Sequence, residues 1–213
     1  AVALEMLRAG GSAVDAAIAA QMVLGLVEPQ SSGLGGGGLM LFFDARRKRL
    51  DAWDGRETAP LTASARQLSD SAGKRLDFAR AVRDPRAVGT PGLLAMLGLA
   101  HSEAGRLPWA RLFEPAIRLA EEGFAVSPRL HGLLALEGRF ADPAAQALFF
   151  DADGRPWPVG YTLRNPALAR SLRLVAAECP RVLHRGELAG LVRDAVRGDL
   201  PAVRRHHEVV NRQ

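Results

Sequence analysis

A chain of 213 residues with 48% hydrophobic and 24% charged side chains has the balance of a folded globular protein about the size of one domain, which excludes a disordered tail. Its 28 Lys and Arg against 23 Asp and Glu give a formal net charge of +5, but the cations are almost all Arg and interleaved with acids, so no nucleic-acid partner is expected. The single Cys179 excludes an internal disulfide framework, and no stretch reads as a membrane span.

The opening AVALEMLRAG reads as a helix already under way with no capping residue before it, so the chain is expected to be a piece of a longer one. Ser12 and Asp15 form an S-x-x-D capping box, and AVDAAIAAQMVLGL is apolar almost all round. A helix from Ser12 to about Gly25, buried on several sides, is therefore predicted. The run Gly33-Leu34-Gly35-Gly36-Gly37-Gly38 leads into LMLFFD, whose continuous apolar character predicts a strand covered on both faces. Arg46-Arg47-Lys48-Arg49 reads as a solvated hairpin turn and LDAWDG as the partner strand, which begins a helix-on-sheet layer structure.

From Leu61 to Asp84 the pattern loosens, and a surface segment of short helices is expected. Pro91-Gly92 precedes the helical LLAMLGLAHSEAG, with Gly105 at its end; Pro108 opens WARLFEPAIRLAEEG, closed by Gly123. Pro115 inside that second pattern should break or kink it. Ser127-Pro128 and Asn165-Pro166 are two further cap-and-first-turn starts, and a last amphipathic helix runs from Glu187 to Val196 before Gly198. No repeat or low-complexity linker appears, so residues 1–213 are expected to form a single, incomplete domain.

The glycine run lacks Gly-Lys-Ser/Thr and leads into a strand, where a nucleotide loop would lead into a helix. Glycines there are better explained by close approach of the strand to another main chain or to a ligand. Arg56 and Glu57 follow the second strand in WDGRETAP. An Arg held at the end of a strand can grip a carboxylate through two parallel charge-assisted hydrogen bonds, oriented by the adjacent acid; a plain surface ion pair is the alternative. His206-His207 lack acids or Cys at ligand spacing, so no metal is expected. His101, His131 and His184 lie in helical or near-helical patterns and are read as satisfied or surface residues. Ser31-Ser32 beside the glycines reads as turn chemistry, and no nucleophile elbow occurs.

An ordered series of segments resembles the γ-glutamyltranspeptidase family: GGSAVDAAIAA (Gly10 to Ala20), VEPQSSGLGGGG (Val27 to Gly38), the R-E-x-A-P motif at Arg56, VGTPGLLAML (Val88 to Leu97), LPWARLFEPAIRLAEEGFAVS (Leu107 to Ser127) and GYTLRNPALARSL (Gly160 to Leu172). The likeness runs from about Leu4 to Val196, and residues 199–213 match poorly. It implies an α/β fold, a four-layer αββα N-terminal-nucleophile hydrolase sandwich of which this chain is the helix-rich large-subunit part. It also implies transfer or hydrolysis of γ-glutamyl groups, from glutathione and related amides, through an acyl-enzyme on an N-terminal Thr exposed by self-cleavage of a precursor.

No segment here resembles that Thr motif. The resemblance thus implies a chain inactive alone, with a nucleophile-bearing small subunit as partner, a γ-glutamyl donor such as glutathione as ligand, and no metal or organic cofactor. By the same resemblance Arg56, assisted by Glu57, contacts the substrate α-carboxylate, and the mature enzyme is periplasmic or secreted. Apolar faces left bare by the missing half would make the isolated chain poorly soluble. Two alternatives remain at this stage: a same-fold glutaryl or cephalosporin acylase, or a non-catalytic gene fragment or partner subunit.

Overall fold

The computed structural model describes residues 1–60, 63–81, 84–137, 143–178 and 180–196. In chain order the elements are α1 (Val2–Arg8), α2 (Ala13–Val27), β1 (Leu39–Asp44), β2 (Arg49–Asp54), α3 (Phe78–Ala81), α4 (Leu93–Ala104), α5 (Glu114–Glu122), β3 (Phe124–Ala125), α6 (Pro128–Glu137), α7 (Pro143–Phe149), β4 (Thr162–Leu163), α8 (Pro166–Glu178) and α9 (Glu187–Val196). Single turns of 3-10 helix occur at Pro85–Ala87, Trp109–Leu112 and Pro180–Leu183. The helix-rich α/β character expected from the sequence stands. Two compact units divide the chain, Ala1–Leu34 with Leu99–Cys179 and Gly35–Gly98 with Pro180–Gln213.

In the first unit α2 starts at the predicted capping box. Ser12 Oγ accepts from the Asp15 amide at 3.2 Å, and the Asp15 carboxylate accepts from the Ser12 amide at 2.7 Å. The same carboxylate oxygen, fully buried, also accepts from the amides of Arg106 at 2.9 Å and Leu107 at 3.2 Å. One acid therefore caps a helix and holds the loop after α4, which is why a charge can be buried there. Val14, Ala16, Ile18, Ala19, Met22 and Leu26 of α2 are buried as well.

Pro115 divides the following pattern as expected: a 3-10 turn ends at Leu112, and α5 starts with Pro115 in its first turn. Gly123 closes α5 at φ +103°, where a Cβ would also collide with Thr162 Cγ2 on β4. The two-residue pairing of β3 with β4 (Phe124 with Leu163, Ala125 with Thr162) and α7 were not anticipated, since segments this short carry no usable periodicity. Ser127 Oγ accepts from Leu130 N at 3.0 Å and Asn165 Oδ1 from Leu168 N at 2.9 Å, so both predicted caps form. Ala120, Phe124, Val126, Leu130, Leu134, Phe150, Leu163 and Ala169 close a core around Leu26.

In the second unit β1 and β2 form the predicted hairpin, in register from Leu39 opposite Asp54 to Asp44 opposite Arg49. Its basic turn is organised by Asp44, whose carboxylate accepts from the amides of Arg46 at 2.9 Å and Arg47 at 3.1 Å, with Lys48 at φ +51°. The Arg47 amide above all holds the Asp44 carboxyl below the usual carboxylate range.

The expectation of a strand covered on both faces is corrected. Met40, Phe42 and Trp53 face inward, with Trp53 buried and its ring 6.2 Å from that of Phe42. The opposite face bears Leu39, Leu41, Phe43 and Leu50, which are 70%, 73%, 61% and 62% exposed. A continuous apolar run reports that both faces are apolar; it does not say that this chain supplies both covers.

The expected short helices after Leu61 reduce, among the described residues, to the four residues of α3, none of them buried. Asp70 explains part of this. Its Oδ1 accepts from the amides of Ala72 at 3.0 Å and Lys74 at 2.9 Å, closing a turn where Ser69 bridges to Arg75, and such side-chain bonds compete with helix formation. No helix among the described residues is long and apolar enough to cross a membrane. Cys179, Gly198 and His206-His207 lie outside the described residues.

Candidate carboxylate-anchoring site

The candidate site is built within the second unit from three stretches, 36–38, 55–58 and 89–93. Gly38 and Gly55 exchange main-chain hydrogen bonds of 3.2 and 2.9 Å, carrying the hairpin one pair beyond Leu39 and Asp54. The Gly36 carbonyl accepts from the amides of Gly92 at 3.2 Å and Leu93 at 3.1 Å, which satisfies two donors that the start of α4 would otherwise leave open. Thr90 N donates to Thr58 O at 2.9 Å in an antiparallel bridge.

Side chains are excluded where these stretches meet. A Cβ on Gly37 would stand 2.5 Å from Glu57 Oε2, 2.6 Å from Gly55 O and 2.9 Å from Arg56 Cα. One on Gly92 would strike Gly55 O and lie 2.9 Å from Arg56 O, and one on Gly89 would lie 2.9 Å from Glu57 Cβ. The main chain of Gly55 and Arg56 and the side chain of Glu57 thus leave no room for a Cβ at three glycines. By contrast a Cβ on Gly33 or Gly35 would meet nothing within 4 Å, so the close-approach explanation applies to the end of the glycine run and not to its start.

The side chain of Arg56 is 70% exposed. Its amide donates to Asp54 Oδ1 at 2.8 Å, while Nη1 lies 3.5 Å from Glu57 Oε2, longer than a charge-assisted hydrogen bond. Arg86 in the same unit differs. It donates to both oxygens of Asp84 at 2.8 and 2.6 Å and to Ser69 O at 3.2 Å. Those side-chain bonds lower the Asp84 carboxyl to about 2 and raise the Arg86 guanidinium. Arg86 therefore spends its fork internally, whereas Arg56 has a fixed main chain and an outward guanidinium, the arrangement that suits an incoming carboxylate. A cavity of about 320 Å³ shares Gly89 with this frame but not Arg56, and has Ala59, Pro60, Leu68, Val88, Arg75 and Arg86 in its lining.

The three described histidines are committed elsewhere. His101 Nε2 lies 2.9 Å from Leu107 O, His131 Nδ1 2.9 Å from Trp157 O and His184 Nε2 2.7 Å from Pro91 O. A carbonyl only accepts, so each of these nitrogens carries the proton. Ser31 and Ser32 donate their amides to Glu28 O at 3.0 and 3.1 Å, and Ser32 Oγ accepts from Gln21 at 2.6 Å, which is turn chemistry as expected. Among the described residues no group of His, Cys, Asp and Glu is arranged to hold a metal. The sequence singles out Arg56 and Glu57 but gives no sign of the frame of Gly89, Thr90 and Gly92 or of the contact between His184 and Pro91; VGTPG (residues 88–92) reads as a helix start and as part of the family likeness, not as a support for Arg56.

Residues 1–199 match the family described as Gamma-glutamyltranspeptidase. The chain is 37% identical over 197 residues to "Glutathione hydrolase 3" of Arabidopsis thaliana, covering 91% of this chain and 30% of that relative. It is 33% identical over 196 residues to the "Glutathione hydrolase proenzyme" of Bacillus subtilis (strain 168), covering 92% of this chain and 33% of the relative. Its fold superposes on the crystal structure of Helicobacter pylori gamma-glutamyltranspeptidase with a TM-score of 0.84 at 28% identity, over 91% of this chain and 56% of that one. The chain thus spans about a third of the length of the curated relatives it matches.

Proposed function

Because the chain belongs to the gamma-glutamyltranspeptidase family, we propose that its parent protein transfers or hydrolyses γ-glutamyl groups of glutathione and related amides. The observation that carries this reading is the Arg56 guanidinium, largely exposed and held only by a 3.5 Å ion pair to Glu57, on a main chain wedged among glycines. Two parallel hydrogen bonds from it to the donor α-carboxylate would fix the substrate end remote from the reacting bond, with Glu57 limiting the swing of the guanidinium.

Chemistry is then done by a Thr on a small subunit that this chain does not include. Its hydroxyl attacks the γ-carbonyl, its free α-amine takes the proton, and the departing amine is protonated as the acyl-enzyme forms. Water or an acceptor amine next takes the γ-glutamyl group and restores the Thr. Neither a metal nor an organic cofactor has a part in this scheme, and the chain alone is inactive. The bare face of Leu39, Leu41, Phe43 and Leu50 supports a docking partner of matching apolar character, which we assign to the small subunit. Both subunits arise from one self-cleaving precursor exported to the periplasm or beyond the cell.

The test is to express the parent gene and compare a γ-glutamyl anilide with the glutaryl anilide that lacks only the α-amino group. Strong preference for the γ-glutamyl donor is expected. Equal or better turnover of the glutaryl compound would make the parent an acylase, and no turnover of either by an intact precursor product would leave a non-catalytic chain.

A further inference from the structure

We propose that His184 is a positioning residue for the Arg56 anchor, an inference that rests on the role given to Arg56 above. His184 follows the 3-10 turn Pro180–Leu183 and precedes α9, more than a hundred residues from Arg56 in sequence. It is 7% exposed, and Nε2 donates to Pro91 O at 2.7 Å. Pro91 stands between the two residues that hold the anchor's main chain. Thr90 N bonds Thr58 O at 2.9 Å, and Gly92 lies so close to Gly55 O and Arg56 O that no Cβ fits.

A proline has no amide, so Pro91 offers only its carbonyl to fix it in place. The main-chain ladder of α4 reaches back to Gly92, whose carbonyl accepts from Met96 N at 3.0 Å, and among the described residues no main-chain amide takes the Pro91 carbonyl. Without the imidazole N–H, the Pro91–Gly92 peptide loses its outer restraint, and the Gly92 contact that sets Arg56 relaxes with it. The substituent acting on Arg56 is therefore a buried histidine that touches no substrate.

The experiment uses the full-length parent enzyme with both subunits. His184→Leu removes the donor, His184→Gln keeps an N–H at similar reach, and His184→Asn keeps the amide but falls short of Pro91 O. Each is assayed on a γ-glutamyl anilide and on its α-carboxamide analogue, alone and combined with Arg56→Ala. His184→Leu is expected to raise KM for the carboxylate donor about tenfold with kcat little changed, since small misplacements of a positioning group cost up to about a hundredfold. The carboxamide donor should change less than about twofold, and in the Arg56→Ala background the His184 effect should vanish, as for residues acting through one another. His184→Gln should restore KM to within about threefold; if the Leu variant does not fold, the contrast between Gln and Asn makes the same comparison.

Equal losses on both donors, or full additivity with Arg56→Ala, would reduce His184 to a general stabiliser and overturn the inference. If Arg56→Ala itself fails to distinguish the two donors, the Arg56 assignment falls and takes the inference with it. If Arg56→Ala distinguishes them and no His184 variant does, only the inference falls.

Discussion

Gly37→Ala tests the frame beneath Arg56 without touching a charged group. The added methyl would stand 2.5 Å from Glu57 Oε2, 2.6 Å from Gly55 O and 2.9 Å from Arg56 Cα, against an ordinary contact of about 3.5–4 Å. Only the carboxylate belongs to a flexible side chain. The other two neighbours are main chain, tied by the Gly38–Gly55 hydrogen bonds of 3.2 and 2.9 Å, so relief requires moving the end of β2. Gly37 has no left-handed φ, which leaves crowding as the folded-state effect, and overpacking of this kind costs about 1–3 kcal/mol.

Gly35→Ala, two residues away in the same run, is the control. A Cβ there meets nothing within 4 Å, and loss of unfolded-chain freedom should leave stability unchanged or raised by about 0.4–1 kcal/mol. Urea midpoints of the purified full-length protein, with amide hydrogen exchange at Gly38 and Gly55, measure both. Gly37→Ala should shift the midpoint down and speed exchange at those two amides; equal behaviour of the two variants would refute the close-packed frame.

Other consequences extend beyond the glycines. Asp15→Ala leaves the amides of Ser12, Arg106 and Leu107 without their shared acceptor and should cost about 3 kcal/mol in thermal or urea unfolding. Asp84, lowered to about 2 by Arg86, has its folded pKa below the unfolded value of about 3.9. Its contribution to stability is then complete above that value and is lost as the pH falls toward 2. Carboxyl NMR should show an Asp84 midpoint near 2 that moves up toward about 4 in Arg86→Ala. Leu41→Lys with Phe43→Lys, on the bare hairpin face, should change the stability of this chain by less than about 0.5 kcal/mol while weakening co-purification of the small subunit; unchanged association would contradict the docking assignment.

Features closed by a few neighbouring residues were legible in the sequence. The Ser12–Asp15 box, the caps at Ser127 and Asn165, the stop at Gly123 and the break at Pro115 each follow from chemistry local to a turn, and each occurs. What depended on partners distant in the chain was not. Nothing in the pattern of α2 announces that Asp15 also holds the amides of Arg106 and Leu107, or that Pro91 finds its donor at His184. The glycine run reads as a place of close approach, but crowding depends on what lies opposite: Gly37 and Gly38 have close neighbours, whereas a Cβ on Gly33 or Gly35 would meet nothing within 4 Å. Arg56 and Glu57 were singled out as a grip for a carboxylate, while the frame from Gly89 to Gly92 that fixes their main chain emerged only from the tertiary contacts.

The central claim is that Arg56 anchors the donor by its α-carboxylate, and the Michaelis constant of Arg56→Ala for a γ-glutamyl anilide tests it most directly in the full-length enzyme. Losing one or two hydrogen bonds to a charged group, about 1.5–3 kcal/mol, predicts a KM raised roughly 10- to 100-fold. Arg56→Lys should recover only part of that loss, because a lysine cannot supply the paired fork. A KM unchanged from the wild type in Arg56→Ala would contradict the account.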